Sequence, residues 1–228
     1  MGVSWWVADV WQISPAYLAS WVAWVVISIT LHELGHGWMA LRCGDDTPRA
    51  LGHMTLNPLV HIPPMAWFMF IAVGFTWGLM PVQPANFHRK YDDAKVAFAG
   101  PAVNLILFAL AIVLDVLWLS YAKSLPEPFN RNMHMFFWTG AFLNLFGFIF
   151  NLVPIPPLDG SRIISNFSWR YRELWNSENG QMIGLFAFFA LFFYGADHVW
   201  RVTHQVSDFV LQAGLSLTGG HFRSPFVP

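Results

Sequence analysis

Apolar residues form long runs along this chain, and short polar segments separate them. A run of about 20 apolar residues is long enough to cross a bilayer as a helix. Such runs lie at about 16–41, 65–80, 94–122, 133–153 and 181–196, and a more polar, amphipathic stretch follows at about 198–217. The run 65–80 is short and contains glycine, so it could span the membrane or be re-entrant. The pattern therefore predicts an all-α polytopic membrane protein with five or six transmembrane or re-entrant helices.

The polar segments between these runs are rich in proline and glycine. The sequence GHMTL, which begins at Gly52, alternates polar and apolar residues and predicts a short β-like segment near 52–60. Regular helix is excluded over PIPPLDGSR at 154–162, because proline lacks a backbone donor and clashes with the preceding turn. We predict one integral-membrane domain over 1–228, with a core at about 16–165 and C-terminal membrane or amphipathic helices at about 180–217.

Composition supports a membrane protein and argues against nucleic acid as a partner. Of 228 residues, 56% are hydrophobic and 11% are charged, whereas soluble domains have about 25% charged residues. The 13 tryptophans and 22 phenylalanines suit aromatic belts at the two membrane surfaces. A net charge of −1 gives no indication of nucleic-acid binding. The single cysteine, Cys43, excludes an intrachain disulfide framework and a thiolate metal cluster.

The first apolar run contains the motif HELGH at residues 32–36. Residues four apart share one face of a helix, so His32 and His36 can bind one zinc ion (Zn2+), with Glu33 beside them as general base. Zinc lowers the pKa of a bound water to about 7, which prepares it to attack a peptide carbonyl while Glu33 moves the proton. HExxH also arises by chance in soluble sequences. Ionisable groups at the bilayer centre cost about 2.5–3.5 kcal/mol each on insertion scales. Three of them within one turn of a membrane helix therefore favour a metal site over a chance match.

A catalytic zinc usually takes three protein ligands, so a third ligand is expected elsewhere. The carboxylate candidates are Asp45, Asp46, Asp92, Asp93, Asp115 and Asp159. The first four suit solvated loop charges, and Asp115 in mid-helix suits a polar packing contact. Asp159 follows an apolar run and several prolines, and Gly160 permits an unusual turn there. Non-helical backbone at membrane depth occurs only inside protein or beside a watery cavity, which favours Asp159 as the ligand.

HELGH in a membrane helix, followed by NLVPIPPLDG, resembles the site-2 protease family of intramembrane zinc metalloproteases. Three more segments resemble family motifs and occur in the family order: GHMTLNPLVHI at 52–62, PVQPANF at 81–87 and AGPAVNL at 99–105. The resemblance covers about residues 20–165. It is closest to the compact prokaryotic form without PDZ or CBS domains, for which we expect no room in this chain.

The resemblance implies a role for each matching residue. It implies that His32, His36 and Asp159 bind the zinc ion and that Glu33 is the catalytic base. It also implies that Asn151, at the start of the NLVPIPPLDG segment, helps to hold the substrate or to stabilise the oxyanion.

At other positions the sequence leaves two roles open. Asn104 matches the asparagine of the AGPxxN motif, and it could join a polar network or simply cap or link helices. The chain departs from the family pattern at His53, where arginine is common, and at Pro63, where aspartate is common. His53 and His61 could lie near the metal or serve as structural or interfacial histidines.

Together the motifs predict an intramembrane zinc metalloprotease that hydrolyses peptide bonds in or near transmembrane segments of membrane-protein substrates, as in regulated intramembrane proteolysis. We expect the chain to lie in a lipid bilayer, in the prokaryotic cytoplasmic (inner) membrane. A homo-oligomer or a larger membrane complex is a further option. One alternative is a catalytically idle subunit or scaffold of a larger membrane complex. Metal transport is another, although it usually requires histidine motifs on two neighbouring helices.

Overall fold

The computed structural model describes residues 5–74, 76–122 and 124–220. Within these ranges the chain is mostly helical and contains no β-strand, which confirms the predicted all-α class. The α-helices in these ranges are α1 (Trp6–Ile13), α2 (Pro15–Arg42), α3 (Thr47–Ala50), α4 (Pro58–His61), α5 (Pro64–Val73), α6 (Asp92–Tyr121), α7 (Glu127–Asn151), α8 (Asp159–Phe167), α9 (Trp169–Asn176), α10 (Glu178–Ala190) and α11 (Ala196–Leu217). A 3-10 turn at Pro84–Asn86 and a π turn at Leu191–Gly195 complete the regular structure there.

Four helical stretches are long and apolar enough to cross a membrane: α2, α6, α7 and the run Glu178–Leu217. By contrast, α5 has only 10 residues, which is about 15 Å of helix against a hydrocarbon core of about 30 Å. It ends at Gly74, whose φ of 77° is left-handed, and residues 76–80 that follow have no regular structure. Of the predicted segment 65–80, residues 65–73 are helical and residues 76–80 are not. The short length of α5 suits a re-entrant segment.

The predicted segments 181–196 and 198–217 form one helical run of 40 residues, Glu178–Leu217. No proline separates them, and a single glycine costs only about 1 kcal/mol in a helix, so the helix continues through a π turn. In α11 the buried residues recur every fourth position, at Thr203, Ser207, Leu211 and Leu215. That face packs against α6 and α7, whereas α10 packs against α9.

The helices α2, α6 and α7 pack against one another and form the centre of the fold. Their shared core contains Trp24, Phe108, Ala111, Ile112, Trp138, Ala141, Phe142 and Leu145. Trp24 Nε1 donates a hydrogen bond to Phe136 O at 2.8 Å, and the indole lies directly on Gly140. A glycine at such a crossing lets two membrane helices approach closely.

A buried polar contact between His134 and Asp115 joins α6 to α7. His134 Nδ1 lies 2.8 Å from Asp115 Oδ1, and both side chains are buried. Asp115 is thus a polar packing contact, as its position in mid-helix predicted.

The β-like segment predicted near 52–60 is not a strand. The chain there forms a turn, bends and the first residues of α4. Asn57 Oδ1 accepts a hydrogen bond from Leu59 N at 3.1 Å, and His61 Nε2 donates to Thr55 O at 2.7 Å. These local contacts satisfy groups that a strand would offer to a neighbour, and Pro58 has no donor for a ladder.

Asp45 fastens the loops beyond the C-terminal end of α2. It is fully buried and accepts hydrogen bonds from Thr47 N at 3.1 Å, Gln83 N at 2.7 Å and Asn86 Nδ2 at 2.9 Å. Burial alone would raise the pKa of Asp45. Hydrogen bonds, first of all one donated by the Thr47 hydroxyl and then those from Gln83 N and Asn86 Nδ2, lower it below its ordinary value. The interpretation of Asp45 as a solvated loop charge is therefore wrong.

We predict that Gly140→Ala lowers the stability of the fold. A Cβ at this position would lie 2.2 Å from Trp24 Cε2, so α2 and α7 would have to separate, and overpacking of this kind costs about 1–3 kcal/mol. Thermal unfolding in detergent measures the change. Gly147→Ala is the matched control on the same helix, because its Cβ would lie 3.5 Å from the nearest atom of Asn104. Equal melting temperatures for Gly140→Ala and the parent protein would contradict the close packing.

Candidate metal centre

Three side chains from two helices converge beside the C-terminal half of α2. His32 and His36 share one face of α2, and Asp159 is the first residue of α8. His32 Nε2 and His36 Nε2 are 3.0 Å apart, and Asp159 Oδ2 lies 3.2 Å from the first and 3.3 Å from the second. All three residues are buried. The structure therefore brings together the three residues that were predicted as metal ligands.

The donor atoms of this triangle fit a small divalent metal ion. A tetrahedral ion with bonds of about 2.0 Å has ligands about 3.3 Å apart, close to the three distances found here. Two imidazole nitrogens and one carboxylate oxygen form a donor set that suits such an ion and leaves a fourth position for water or substrate.

Both histidine rings are oriented by contacts with α6. Val96 O accepts a hydrogen bond from His36 Nδ1 at 2.7 Å, and Asn104 Oδ1 lies 2.5 Å from His32 Nδ1. A carbonyl oxygen can only accept, so each Nδ1 carries the proton. Each Nε2 is then free to bind a metal ion.

Asn104 belongs to a polar network that crosses from α6 to α7. Its Nδ2 donates to Asn144 Oδ1 at 3.0 Å, and Asn144 Nδ2 donates to Gly140 O at 2.8 Å. Of the two roles that the sequence left open for Asn104, the structure supports the polar network, and it adds a direct contact with His32. Asn144 and Val96 were not identified from the sequence. Val96 contributes only its backbone carbonyl, and because every residue type has one, the sequence could not identify this position.

Gly100 leaves the space that the two imidazoles occupy. A Cβ there would lie 2.4 Å from His36 Nε2 and 2.6 Å from His32 Nε2, so any larger residue would displace the rings. Gly100 lies four residues after Val96 and four before Asn104, which places the three on one face of α6.

Asp159 is also positioned relative to α6. Arg162, one turn later in α8, forms an ion pair with Asp93 in which Nη2 and Oδ1 are 2.6 Å apart. Asn166 Nδ2 donates to Asp93 Oδ2 at 2.9 Å. Asp93 therefore holds α8 against the first turn of α6, and the interpretation of Asp93 as a solvated loop charge is wrong.

Glu33 is buried beneath the irregular segment 76–83. A Cβ on Gly78 would lie 2.2 Å from Glu33 Oε1, so the glycine backbone passes directly over the carboxylate. Leu79 N donates to His61 O at 2.8 Å, which fastens this segment to α4. The predicted general base thus lies under a backbone cover that only glycine permits.

Asn151 is the last residue of α7, and the loop 152–158 leads from it to Asp159. The exclusion of helix over 154–162 is therefore correct only as far as Leu158. Residues 159–162, including Gly160, form the start of α8, because no proline follows Pro157 there. The side chain is half-buried, and its Nδ2 donates to Gly147 O at 3.0 Å within its own helix. Its role in holding substrate stays a prediction.

His53 and His61 have contacts of the kind expected for structural histidines. Their ring centres are 6.1 Å apart, and His61 is fully buried with its Nε2 on Thr55 O. Burial, and next the proximity of His61, lower the pKa of His53.

Comparison with known proteins identifies the family. Residues 121–195, which include Asn151 and Asp159, match the profile of Peptidase family M50. The chain is 38% identical over 144 residues to "Putative zinc metalloprotease YwhC" of Bacillus subtilis, and the match covers 62% of this chain and 66% of that protein. The chain belongs to peptidase family M50. This family comprises the site-2 proteases, so the resemblance seen in the motifs is confirmed.

Other relatives of this M50 member come from a further bacterium and an archaeon. It is 34% identical over 154 residues to "Putative zinc metalloprotease Rip2" of Mycolicibacterium smegmatis, covering 63% of this chain and 53% of that protein. It is 29% identical over 119 residues to "Putative zinc metalloprotease MJ0611" of Methanocaldococcus jannaschii, covering 46% of this chain and 56% of that protein. The matches thus span between half and two thirds of these relatives. No solved structure matches the chain significantly. Family membership and the apolar helices together identify an integral membrane protein.

We predict that Asn104→Leu weakens divalent metal binding by about 10- to 100-fold, the usual effect of losing a partner that orients a ligand. Leucine has a similar size but no acceptor for His32 Nδ1. Titration of the metal-free protein with Co2+, followed by its visible absorption, measures the affinity. Asn104→Asp keeps the acceptor and is the matched control. Equal affinity of Asn104→Leu and the parent protein would contradict the orienting role.

Proposed function

We propose that this chain is an intramembrane zinc endopeptidase that hydrolyses peptide bonds in or near transmembrane segments of membrane-protein substrates. The observation that carries the proposal is the buried triangle of His32 Nε2, His36 Nε2 and Asp159 Oδ2, next to Glu33 on a helix long enough to cross a membrane. Membership of family M50 and the names of its relatives support zinc as the ion and peptide hydrolysis as the reaction.

Each residue of the site has a distinct part in the proposed reaction. His32, His36 and Asp159 would hold the zinc ion, which supplies Lewis-acid activation of water and of the substrate carbonyl when bound. Asn104 keeps the His32 ring in the tautomer that binds metal. Glu33 takes the proton from the attacking water and delivers it to the leaving nitrogen. In this reaction Asn151 would donate to the substrate carbonyl oxygen.

The depth of the site suits a substrate that lies in the membrane. Counted from Pro15, His32 lies about 26 Å along α2, inside a hydrocarbon core of about 30 Å but close to its edge. Water can reach a site at this depth from the nearer surface. A substrate helix must unwind locally before cleavage, because its carbonyls are hydrogen-bonded within the helix.

The alternatives place different requirements on the chain. An idle scaffold has no need of a metal triangle with oriented histidines. Metal transport would require a second set of ligands. The part of the chain that the structure describes contains a single group of three His, Cys, Asp or Glu residues that could hold a metal ion, which favours the peptidase.

The wider setting belongs to the same proposal. We infer that residues 1–228 act as one membrane domain, either alone or within a homo-oligomer or larger complex. The bacterial and archaeal relatives support a prokaryotic cytoplasmic membrane as its location.

We predict that Glu33→Gln lowers the rate of cleavage by at least about 100-fold, because general acid–base catalysis contributes about 10²- to 10⁴-fold. The variant should still bind zinc, since Glu33 is not one of the three ligands. The assay is cleavage of a tagged membrane-helix substrate in reconstituted vesicles, with Glu127→Gln at the start of α7 as the control. A Glu33→Gln variant that cleaves as fast as the parent protein would refute the proposed base.

A second prediction separates metal binding from catalysis. Asp159→Ala removes one of three ligands, so the purified variant should retain much less zinc than the parent protein. Metal analysis of both proteins measures the loss. Asp46→Ala is the matched control, because Asp46 is exposed and pairs only with Arg49 among the described residues. Stoichiometric zinc in Asp159→Ala would eliminate Asp159 as a ligand.

A further inference from the structure

A separate cavity of about 240 Å³ lies at the C-terminal end of α2, one to two helical turns beyond His36. The end of α2, the segment before α6 and the first turn of α6 line it, and it is open to one side. Its lining includes the buried residues Cys43 and Asp92 and the exposed basic residues Arg42, His88, Arg89 and Lys95. We call this cavity the basic pocket.

The basic pocket has more positive charge than its own carboxylate can balance. Asp92 is the one acidic residue in its lining. Both of its oxygens are engaged, since Oδ1 accepts from Lys95 Nζ at 2.7 Å and Oδ2 accepts from Arg89 N at 2.9 Å. Over the described ranges, no carboxylate forms an ion pair with the guanidinium of Arg42 or Arg89. Two unpaired guanidinium groups beside one cavity suit a phosphoryl anion.

The position of Arg42 indicates that the phosphoryl group belongs to a membrane lipid. Arg42 Cζ lies 3.8 Å from the centre of the Trp38 ring, and this cation–π contact restricts the arginine. Trp38 is 55% exposed, as is typical of aromatic residues at a membrane surface. The 28 residues of α2 extend over about 42 Å, so a helix that crosses a hydrocarbon core of about 30 Å reaches into the headgroup layer. The basic pocket would then lie at the depth of the lipid phosphates.

We propose that the basic pocket binds a phosphoryl group and that its occupant is the headgroup of an anionic membrane lipid. The guanidinium groups of Arg42 and Arg89 donate to the phosphate oxygens, and Lys95 in the lining adds positive charge. A soluble phosphate is the other source of the same chemistry.

An occupied pocket would join the two helices that hold His36. Arg42 ends α2, whereas Asp92 and Lys95 belong to the first turn of α6. The next residue of α6 is Val96, whose carbonyl accepts from His36 Nδ1. A bound headgroup therefore stabilises the contact that orients one of the proposed metal ligands. The binding itself does not depend on the proposed peptidase activity.

The test measures binding to the full-length protein, purified in detergent and free of lipid. The probes are short-chain phosphatidylglycerol, phosphatidylcholine with the same chains, and inorganic phosphate. Native mass spectrometry counts bound lipid, and the melting temperature reports stabilisation. Phosphatidylglycerol should bind and raise the melting temperature, and phosphatidylcholine should not. Arg42→Gln and Arg89→Gln should each weaken phosphatidylglycerol binding by about tenfold, the usual effect of losing a charged hydrogen-bond partner.

Lys90→Gln is the matched control, because it removes one positive charge next to Arg89 from an exposed residue outside the pocket lining. It should bind phosphatidylglycerol as the parent protein does. The assignment of the basic pocket as the lipid site would be overturned if Lys90→Gln and Arg89→Gln lost phosphatidylglycerol binding equally. It would also be overturned if phosphatidylcholine bound as tightly as phosphatidylglycerol. Inorganic phosphate that binds as tightly as the lipid would confirm the phosphoryl site but overturn the lipid as occupant. Two measurements verify that each variant is folded: the melting temperature of the ligand-free protein and the binding of Co2+. If Arg42→Gln is not folded, the test relies on Arg89→Gln.

Discussion

The close approach of α2 to one face of α6 is the constraint on which the site depends. Val96, Gly100 and Asn104 follow one another at intervals of four residues on that face. The first fixes one imidazole through a carbonyl, the second leaves room for both rings, and the third fixes the other imidazole. The contacts of α2 and α6 with α7 maintain this approach, because a shift of α6 by one turn would replace all three partners at once.

The same helix also determines where the third donor lies. Asp93 at the start of α6 binds Arg162 and Asn166 of α8, so the helix that begins with Asp159 is held against the helix that orients the histidines. All three donor atoms are therefore positioned relative to α6, although α6 contributes none of them. The donors come from segments far apart in sequence, and this shared support accounts for distances as uniform as 3.0–3.3 Å.

Sequence reasoning could find what side-chain chemistry and short spacing determine. His32, Glu33 and His36 form a local pattern, and the prolines before Asp159 indicate a non-helical segment that leads to it. Sequence reasoning was wrong where a contact with a distant part of the backbone determines the local structure. The partners of Asp45 include Gln83 N, almost forty residues away, so the residue resembled a solvated charge. The alternation at 52–60 also occurs in strands, but it cannot show whether a neighbouring strand exists. A drop in hydropathy near residue 197 separates two apolar runs without breaking a helix.

The position of HELGH along α2 has a consequence for the products of the proposed reaction. A peptide bond cut at the depth of His32 divides a substrate's membrane helix unequally, since only a few residues separate that depth from the nearer surface. The short piece falls far below the roughly 20 apolar residues that keep a helix in a bilayer, whereas the long piece stays embedded. The location of one motif on one helix would thus decide which part of a cleaved protein escapes into water and which part remains behind.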